Sequence, residues 1–232
     1  MQSSELLGGF GALSLRTPPA ALDSRCLWWL GSVPEVPHLE PAPEAPAPTH
    51  TALIAPVPAA EPLVAEHRRR LDAAAGWGVP AHVTVLYPFI DPSEVDEQVI
   101  AVVGEAVATV PAFDCSFVRS RWFRQDVLWL DPEPAQPFRD LTTAVLTAFL
   151  EHPPYGGAHD DVVPHLTVAE RRLADLPAVR AAEHAVQPGL PVTTRIDRVL
   201  FITGAQAPNS WSVLHQFTLA STGGSAHRHV AE

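Results

Sequence analysis

Two segments far apart in the chain carry the same pattern. Val79-Pro80-Ala81-His82-Val83-Thr84-Val85 and Val163-Pro164-His165-Leu166-Thr167-Val168 each set a proline upstream of His, an apolar residue, Thr and an apolar residue. On a strand, successive side chains point to opposite faces. His82 and Thr84 therefore share one face and Val83 and Val85 the other, and His165 and Thr167 stand likewise against Leu166 and Val168. Bare His-x-Thr triplets are weak evidence, since a chain with 11 His yields about 0.7 of them by chance. Requiring apolar residues at both alternate positions lowers that expectation to about 0.15, and the shared proline lowers it again. The matched pair therefore outweighs the bland reading of either residue as a half-buried structural histidine. It constrains the fold to two strands, each with an apolar face behind and an imidazole and a hydroxyl in front.

The residues around the pair alternate between strand-like and helix-like stretches. Thr51–Val57, Ala81–Phe89, Phe113–Phe123, Asp126–Leu130, Val163–Ala169, Leu190–Ile202 and Ser210–Leu219 read as strands. Leu63–Ala75 reads as a helix behind Pro62 that closes near Gly76. Asp91-Pro92-Ser93 opens a second helix with Val95, Val99, Ile100, Val103 and Val107 on one face. Gln136–Leu150, with Phe138, Leu141, Val145, Phe149 and Leu150 at helical spacing, and Leu173–Val186 complete the helices. This order is too irregular for a doubly wound sheet with a glycine-rich phosphate loop. It fits an α+β protein of two similar lobes, each a sheet backed by helices.

The 25 prolines are unevenly spread. Between Pro34 and Pro48 they recur at 34, 37, 41, 43, 46 and 48, a run that cannot donate a regular hydrogen-bond ladder. Residues 1–49 are expected to be an untethered Pro/Ala-rich extension, in which Cys26-Leu27-Trp28-Trp29-Leu30 is an apolar island. Residues 50–220 are expected to be the folded domain and 221–232 a loose tail.

The 15 basic residues, all Arg, stand against 26 acidic ones, a net charge of -11. Duplex binding depends on neutralising many phosphates, so duplex DNA is not an expected partner; one phosphate in a local pocket is compatible. Two cysteines are too few for a disulfide scaffold or a Cys-based zinc site. No apolar run approaches a membrane span, and no basic residue precedes Arg16, so the expectation is a cytoplasmic protein without a secretory signal. A monomer is the default.

The paired histidines suit phosphodiester chemistry. Such a reaction needs a base to activate the nucleophile and an acid to protonate the leaving oxygen. Two imidazoles titrating near neutrality can hold those opposite states together. The two Thr hydroxyls can donate to non-bridging phosphate oxygens, where charge must be stabilised. No metal or other cofactor is required.

Together these segments resemble the paired motifs of the 2H phosphoesterase superfamily, in particular its 2'-5' RNA ligase-like and cyclic phosphodiesterase members. His82-Val83-Thr84-Val85-Leu86-Tyr87-Pro88-Phe89 looks like the first motif with its aromatic-proline pair. Pro153-Pro154-Tyr155-Gly156-Gly157 followed by the His165 segment looks like the second. The resemblance covers about residues 50 to 220. It implies a bilobal α+β fold, with two antiparallel sheets and flanking helices around a central cleft and an internal pseudo-twofold symmetry. It implies His82 and His165 as the catalytic pair and Thr84 and Thr167 as the phosphate ligands. Substrates of that superfamily include 2',3'-cyclic phosphates and 2'-5' linkages, and some members join RNA ends. Residues 50–220 are themselves acidic, which favours a small nucleotide or RNA end over long RNA. A non-catalytic nucleotide-binding module using the same cleft is the alternative, and a structural domain with coincidental repeats a third reading; the presence of both histidines and both threonines argues for catalysis.

Among the other residues, Tyr155 in its glycine-rich loop is a candidate base contact. Arg124, with Arg119 and Arg121, is a candidate phosphate contact, although a solvated strand face explains the three as well. Tyr87 lies five residues past His82, which on a regular strand faces it away from the cleft. Arg68-Arg69-Arg70 reads as a solvated helix face, Trp129 as core, Cys115 as a buried strand residue, and His159-Asp160-Asp161 as a surface loop rather than a metal site.

Overall fold

In the computed structural model, residues 46–150 and 162–221 are described. The expectations for Tyr155 and His159-Asp160-Asp161 lie outside them, as do nearly all of those for the extension and the tail.

Among the described residues, eight strands and five α-helices follow one another: β1 (His50–Pro56), α1 (Glu61–Leu71), α2 (Ala73–Gly76), β2 (His82–Leu86), α3 (Glu97–Ala108), β3 (Phe113–Phe123), β4 (Val127–Glu133), α4 (Gln136–Ala148), β5 (Leu166–Glu170), α5 (Leu176–Val186), β6 (Val192–Ile196), β7 (Arg198–Gly204) and β8 (Ser212–Thr218). They form two antiparallel four-stranded sheets, ordered β2-β1-β7-β8 and β5-β4-β3-β6. The two motif strands, β2 and β5, are thus the corresponding edges of the two sheets, and they approach each other. Helices back the sheets crosswise: α1 and α5 pack on β5, while α4 packs on β2 and α3 on β8. This is the α+β, two-lobed architecture that the repeated pattern required.

The apolar faces of both motif strands form part of one continuous core. Val83, Val85, Leu166 and Val168 are buried there with Phe117, Phe138, Phe201, Leu53 and Leu130. Burying such side chains stabilises by about 1.5–3 kcal/mol each, and it pins the register, since a one-residue slip would turn His82 and Thr84 inward. Among the described residues no helix is long and apolar enough to cross a membrane.

Several boundaries differ from the sequence reading. The stretch 190–202 is two strands, β6 in the second sheet and β7 in the first; the chain changes sheets at Asp197 without a glycine or proline to mark it. The helix expected over 63–75 breaks at Asp72. That residue is extended (φ -131, ψ 119) and its carboxylate caps α2 by accepting from Ala74 N at 3.0 Å. The Asp91-Pro92-Ser93 signal makes only a 3₁₀ turn, and α3 starts behind the side-chain cap of Asp96 on Val99 N. Leu150, placed on the apolar face of α4 by spacing, lies beyond its end and is exposed.

Candidate active site

Both motif strands carry a bulge at the same place. In β2, Thr84 pairs with Ile54 and Leu86 with Leu53, leaving Val85 as the extra residue. In β5, Thr167 pairs with Trp129 and Ala169 with Leu128, leaving Val168 as the extra residue. A bulge shifts side-chain parity by one. Val85 and Leu86 are consecutively buried, as are Val168 and Ala169, and the next residue returns to the cleft face. In the first lobe that residue is Tyr87 and in the second it is Glu170. Tyr87 therefore lines the same pocket as His82 and Thr84, contrary to the alternation of a regular strand. The bulge is braced from behind, where the Thr142 hydroxyl of α4 donates to the Val85 carbonyl at 2.9 Å.

The two imidazoles are held in matching ways. His82 Nδ1 lies 2.7 Å from the Pro80 carbonyl, and His165 Nδ1 lies 2.7 Å from the Val163 carbonyl. A carbonyl only accepts, so each Nδ1 carries the proton and donates it. Nε2 is then the nitrogen free to take up or release a proton. His82 opens β2, whereas His165 sits one residue ahead of β5, a small departure from the expected strand placement. Burial pushes both imidazoles below their ordinary value of 6.5, and His82 falls to about 3. For His82 the buried Arg68 guanidinium and the other imidazole add to the effect, and the hydrogen bond to Pro80 opposes it. Among the described residues no such cation bears on His165, where the bond to Val163 offsets burial.

Arg68 corrects the reading of the triple-arginine run, since it is only 2% exposed. Its Nε donates to Asp72 Oδ2 at 2.9 Å and its Nη2 to the Val79 carbonyl at 3.2 Å. Glu61, 3.9 Å from Arg68 Nη1, accepts from Ala81 N at 2.5 Å. The α1 face thus grips the backbone on both sides of Pro80, whose carbonyl orients His82. Arg69 does lie on the solvated face, paired with Glu66.

The hydroxyls of Thr84 and Thr167 make no hydrogen bond among the described residues and remain available as donors. Beside His165, Phe123 lies perpendicular to the imidazole at 4.9 Å between ring centroids and stacks on Trp129 at 4.8 Å. Trp129 is buried as expected, but as a wall of the site. Arg119 and Arg121 both pair with Asp131, at 2.7 and 2.6 Å. Arg124 occupies the β3–β4 turn, exposed and with a positive φ of 51°, apart from the pocket that contains His82. Cys115 is buried, and its thiol is pushed up to about 11 by that burial.

Next to His82 and Thr84 lies a pocket of about 110 Å³, floored by Ala52, Ile54, Val79 and Ile202 and walled by Trp77, Tyr87 and Trp211. Sequence reasoning missed both tryptophans, because they come from loops that only the fold brings to β2. Trp211 is seated firmly: its Nε1 donates to the Ala205 carbonyl at 2.9 Å and its N to the Trp77 carbonyl at 3.1 Å. A Cβ on Gly204 would stand 2.5 Å from the Trp211 ring and 2.8 Å from its Cα. Gly204→Ala is therefore expected to lower stability by about 1–3 kcal/mol, measured by chemical denaturation, and to change the near-ultraviolet circular dichroism of Trp211. An unchanged spectrum and midpoint would contradict this packing.

Comparison with known proteins gives a family and a fold. The family model of the 2'-5' RNA ligase superfamily matches residues 55–207. The structure of TT0787 from Thermus thermophilus superposes with a TM-score of 0.53 at 16% identity, covering 75% of this chain and 100% of that one. The structure of LigT from E. coli with 3'-AMP gives 0.50 at 16% identity, covering 75% and 99%. No curated protein matches the sequence.

Proposed function

Because the chain belongs to the 2'-5' RNA ligase superfamily, we propose that it is a metal-independent phosphoesterase acting on a 2',3'-cyclic phosphate or 2'-5' phosphodiester of a nucleotide or RNA end. The observation that carries this reading is the matched pair of imidazoles, each with Nδ1 anchored on the carbonyl two residues upstream and Nε2 free. The E. coli relative crystallised with 3'-AMP supports a nucleotide as substrate. The acidic balance of the folded domain supports a small one.

In the proposed reaction, Thr84 and Thr167 donate to the non-bridging oxygens of the phosphate. His82 is the base, since Arg68 disfavours its charged form, and His165 is the acid. Neutral His82 Nε2 takes a proton from water, and the water oxygen bonds to phosphorus. The bond to the ribose oxygen breaks, and His165 Nε2–H protonates that oxygen. His82 ends as imidazolium and His165 as neutral imidazole, and exchange with solvent restores both. Tyr155 and Arg124 remain candidate contacts to the rest of the substrate.

The lowered imidazoles set the pH dependence. The one-proton form of the pair is populated between its two apparent titration points, both below 6.5. The kcat/KM profile is therefore expected to peak on the acid side of 6.5. It falls at lower pH as the base gains a proton and at higher pH as the acid loses one. Bound phosphate favours imidazolium, so the kcat profile shifts to higher pH. A kcat/KM maximum above about pH 7.5 would contradict the assignment. Turnover of a panel of 2',3'-cyclic nucleotides and 2'-5' dinucleotides in the presence of chelator tests the function; binding without product would instead favour a nucleotide-binding module.

A further inference from the structure

The two lobes match at the motif but differ at the residue that follows each bulge. In the first lobe Tyr87 faces an open pocket with Trp77 and Trp211 on its sides and apolar residues beneath. Tyr87 lies 6.1 Å from Trp211 between ring centroids, and His50 flanks its other side at 5.9 Å. In the second lobe Glu170 takes the corresponding place and is paired with Arg172, while Trp129 packs against Phe123 and His165. Among the described residues, the pocket lined by several aromatic rings and a motif pair is thus the one beside His82; beside His165, Phe123 is half-buried and stacked on Trp129.

The open pocket is preformed. Trp77 and Trp211 are joined by a backbone hydrogen bond, and Asn209 N donates to the Gly76 carbonyl at 3.2 Å, so the two loops form one unit. Gly78 holds a positive φ of 97°, and a Cβ there would meet Asn209 at 3.4 Å; Gly204 admits the Trp211 ring. Among the described residues no Asp, Glu, Lys or Arg lines the pocket, so its chemistry suits a flat, weakly polar group. His82 and Thr84 belong to its lining, so a group bound there is continuous with a phosphate held by the motif.

We propose that the pocket of Trp77, Tyr87 and Trp211 seats one planar heteroaromatic base, which places a recognised base of the phosphodiester substrate on the His82 side of the cleft. This rests on the phosphoesterase reading and extends it to substrate choice. Base–aromatic stacking tolerates any base, because every base has a π-face. The pocket therefore selects for the presence of a base rather than for its identity.

The test compares adenosine 2',3'-cyclic phosphate with methyl riboside 2,3-cyclic phosphate, which lacks the base. In the wild-type protein kcat/KM is expected to favour the nucleoside by about ten- to a hundredfold. Trp77→Leu and, separately, Trp211→Leu are expected to bring the ratio toward one through a raised KM for the nucleoside. Comparable turnover of both compounds by the wild type, or an unaltered ratio in a folded Trp77→Leu variant, overturns the base site and leaves the two-histidine mechanism standing. If the wild type turns over neither, the cyclic-phosphate substrate fails instead, and tryptophan fluorescence decides the base site. Saturable quenching by 3'-AMP but not by ribose 5-phosphate, lost in Trp77→Leu, supports it; the absence of such quenching overturns it.

Discussion

His82→Ala and His165→Ala are each expected to lower kcat by about a hundredfold or more, with the fold retained. Loss of a positioned general acid or base commonly removes about 10²–10⁴ of rate, and neither ring is a keystone of the core. Both histidines are half-buried, outside the apolar core, and the apolar faces of their strands carry the packing through Val83, Val85, Leu166 and Val168. The two groups act on one phosphorus, so the double variant is expected to be far less impaired than the product of the single losses implies. Thr84→Val and Thr167→Val probe the phosphate contacts in the same assay and are expected to give smaller losses than either histidine. Steady-state rates with matched circular dichroism check these outcomes; a His165→Ala protein with wild-type kcat would remove His165 from the chemistry.

Arg68→Met is expected to destabilise the protein by about 3–5 kcal/mol, the range for removing one partner of a buried ion pair. It leaves Asp72, 3% exposed, without its cation and the Val79 carbonyl without its donor. Urea unfolding measures the loss, and a change below about 1 kcal/mol would show that the pair is not structurally coupled. Replacing both members with apolar residues (Arg68→Met, Asp72→Leu) should recover much of the loss, because the desolvation of two charges is then removed as well. The same single variant has a catalytic signature. Without the guanidinium, His82 accepts a proton at higher pH, so the acidic limb of the kcat/KM profile moves upward.

The motif was legible in sequence because its signal is local. Alternation within five residues separates His82 and Thr84 from Val83 and Val85, and the burial pattern of β2 keeps that separation. The lobes followed from the repetition. What escaped were features created by pairing and packing. Nothing in Val85 or Val168 announces a bulge, since the extra residue is defined only against β1 or β4, and with it went the direction of Tyr87 and Glu170. Arg68 looked like its neighbours Arg69 and Arg70, and only the helix phase that sets it against Val79 and Asp72 buries it. The crossing from β6 to β7 at Asp197 carries no glycine or proline, and only the pairing partners of the two strands reveal it. Trp77 and Trp211 are brought together by hydrogen bonds between loops, a contact no periodicity encodes.

Phosphorus NMR of adenosine 2',3'-cyclic phosphate incubated with the protein and excess chelator tests the two-imidazole centre most directly. The account predicts that the cyclic resonance is replaced by that of a single monoester, and that the His82→Ala, His165→Ala double variant converts it far more slowly. Equal conversion by the wild type and the double variant would contradict the central claim.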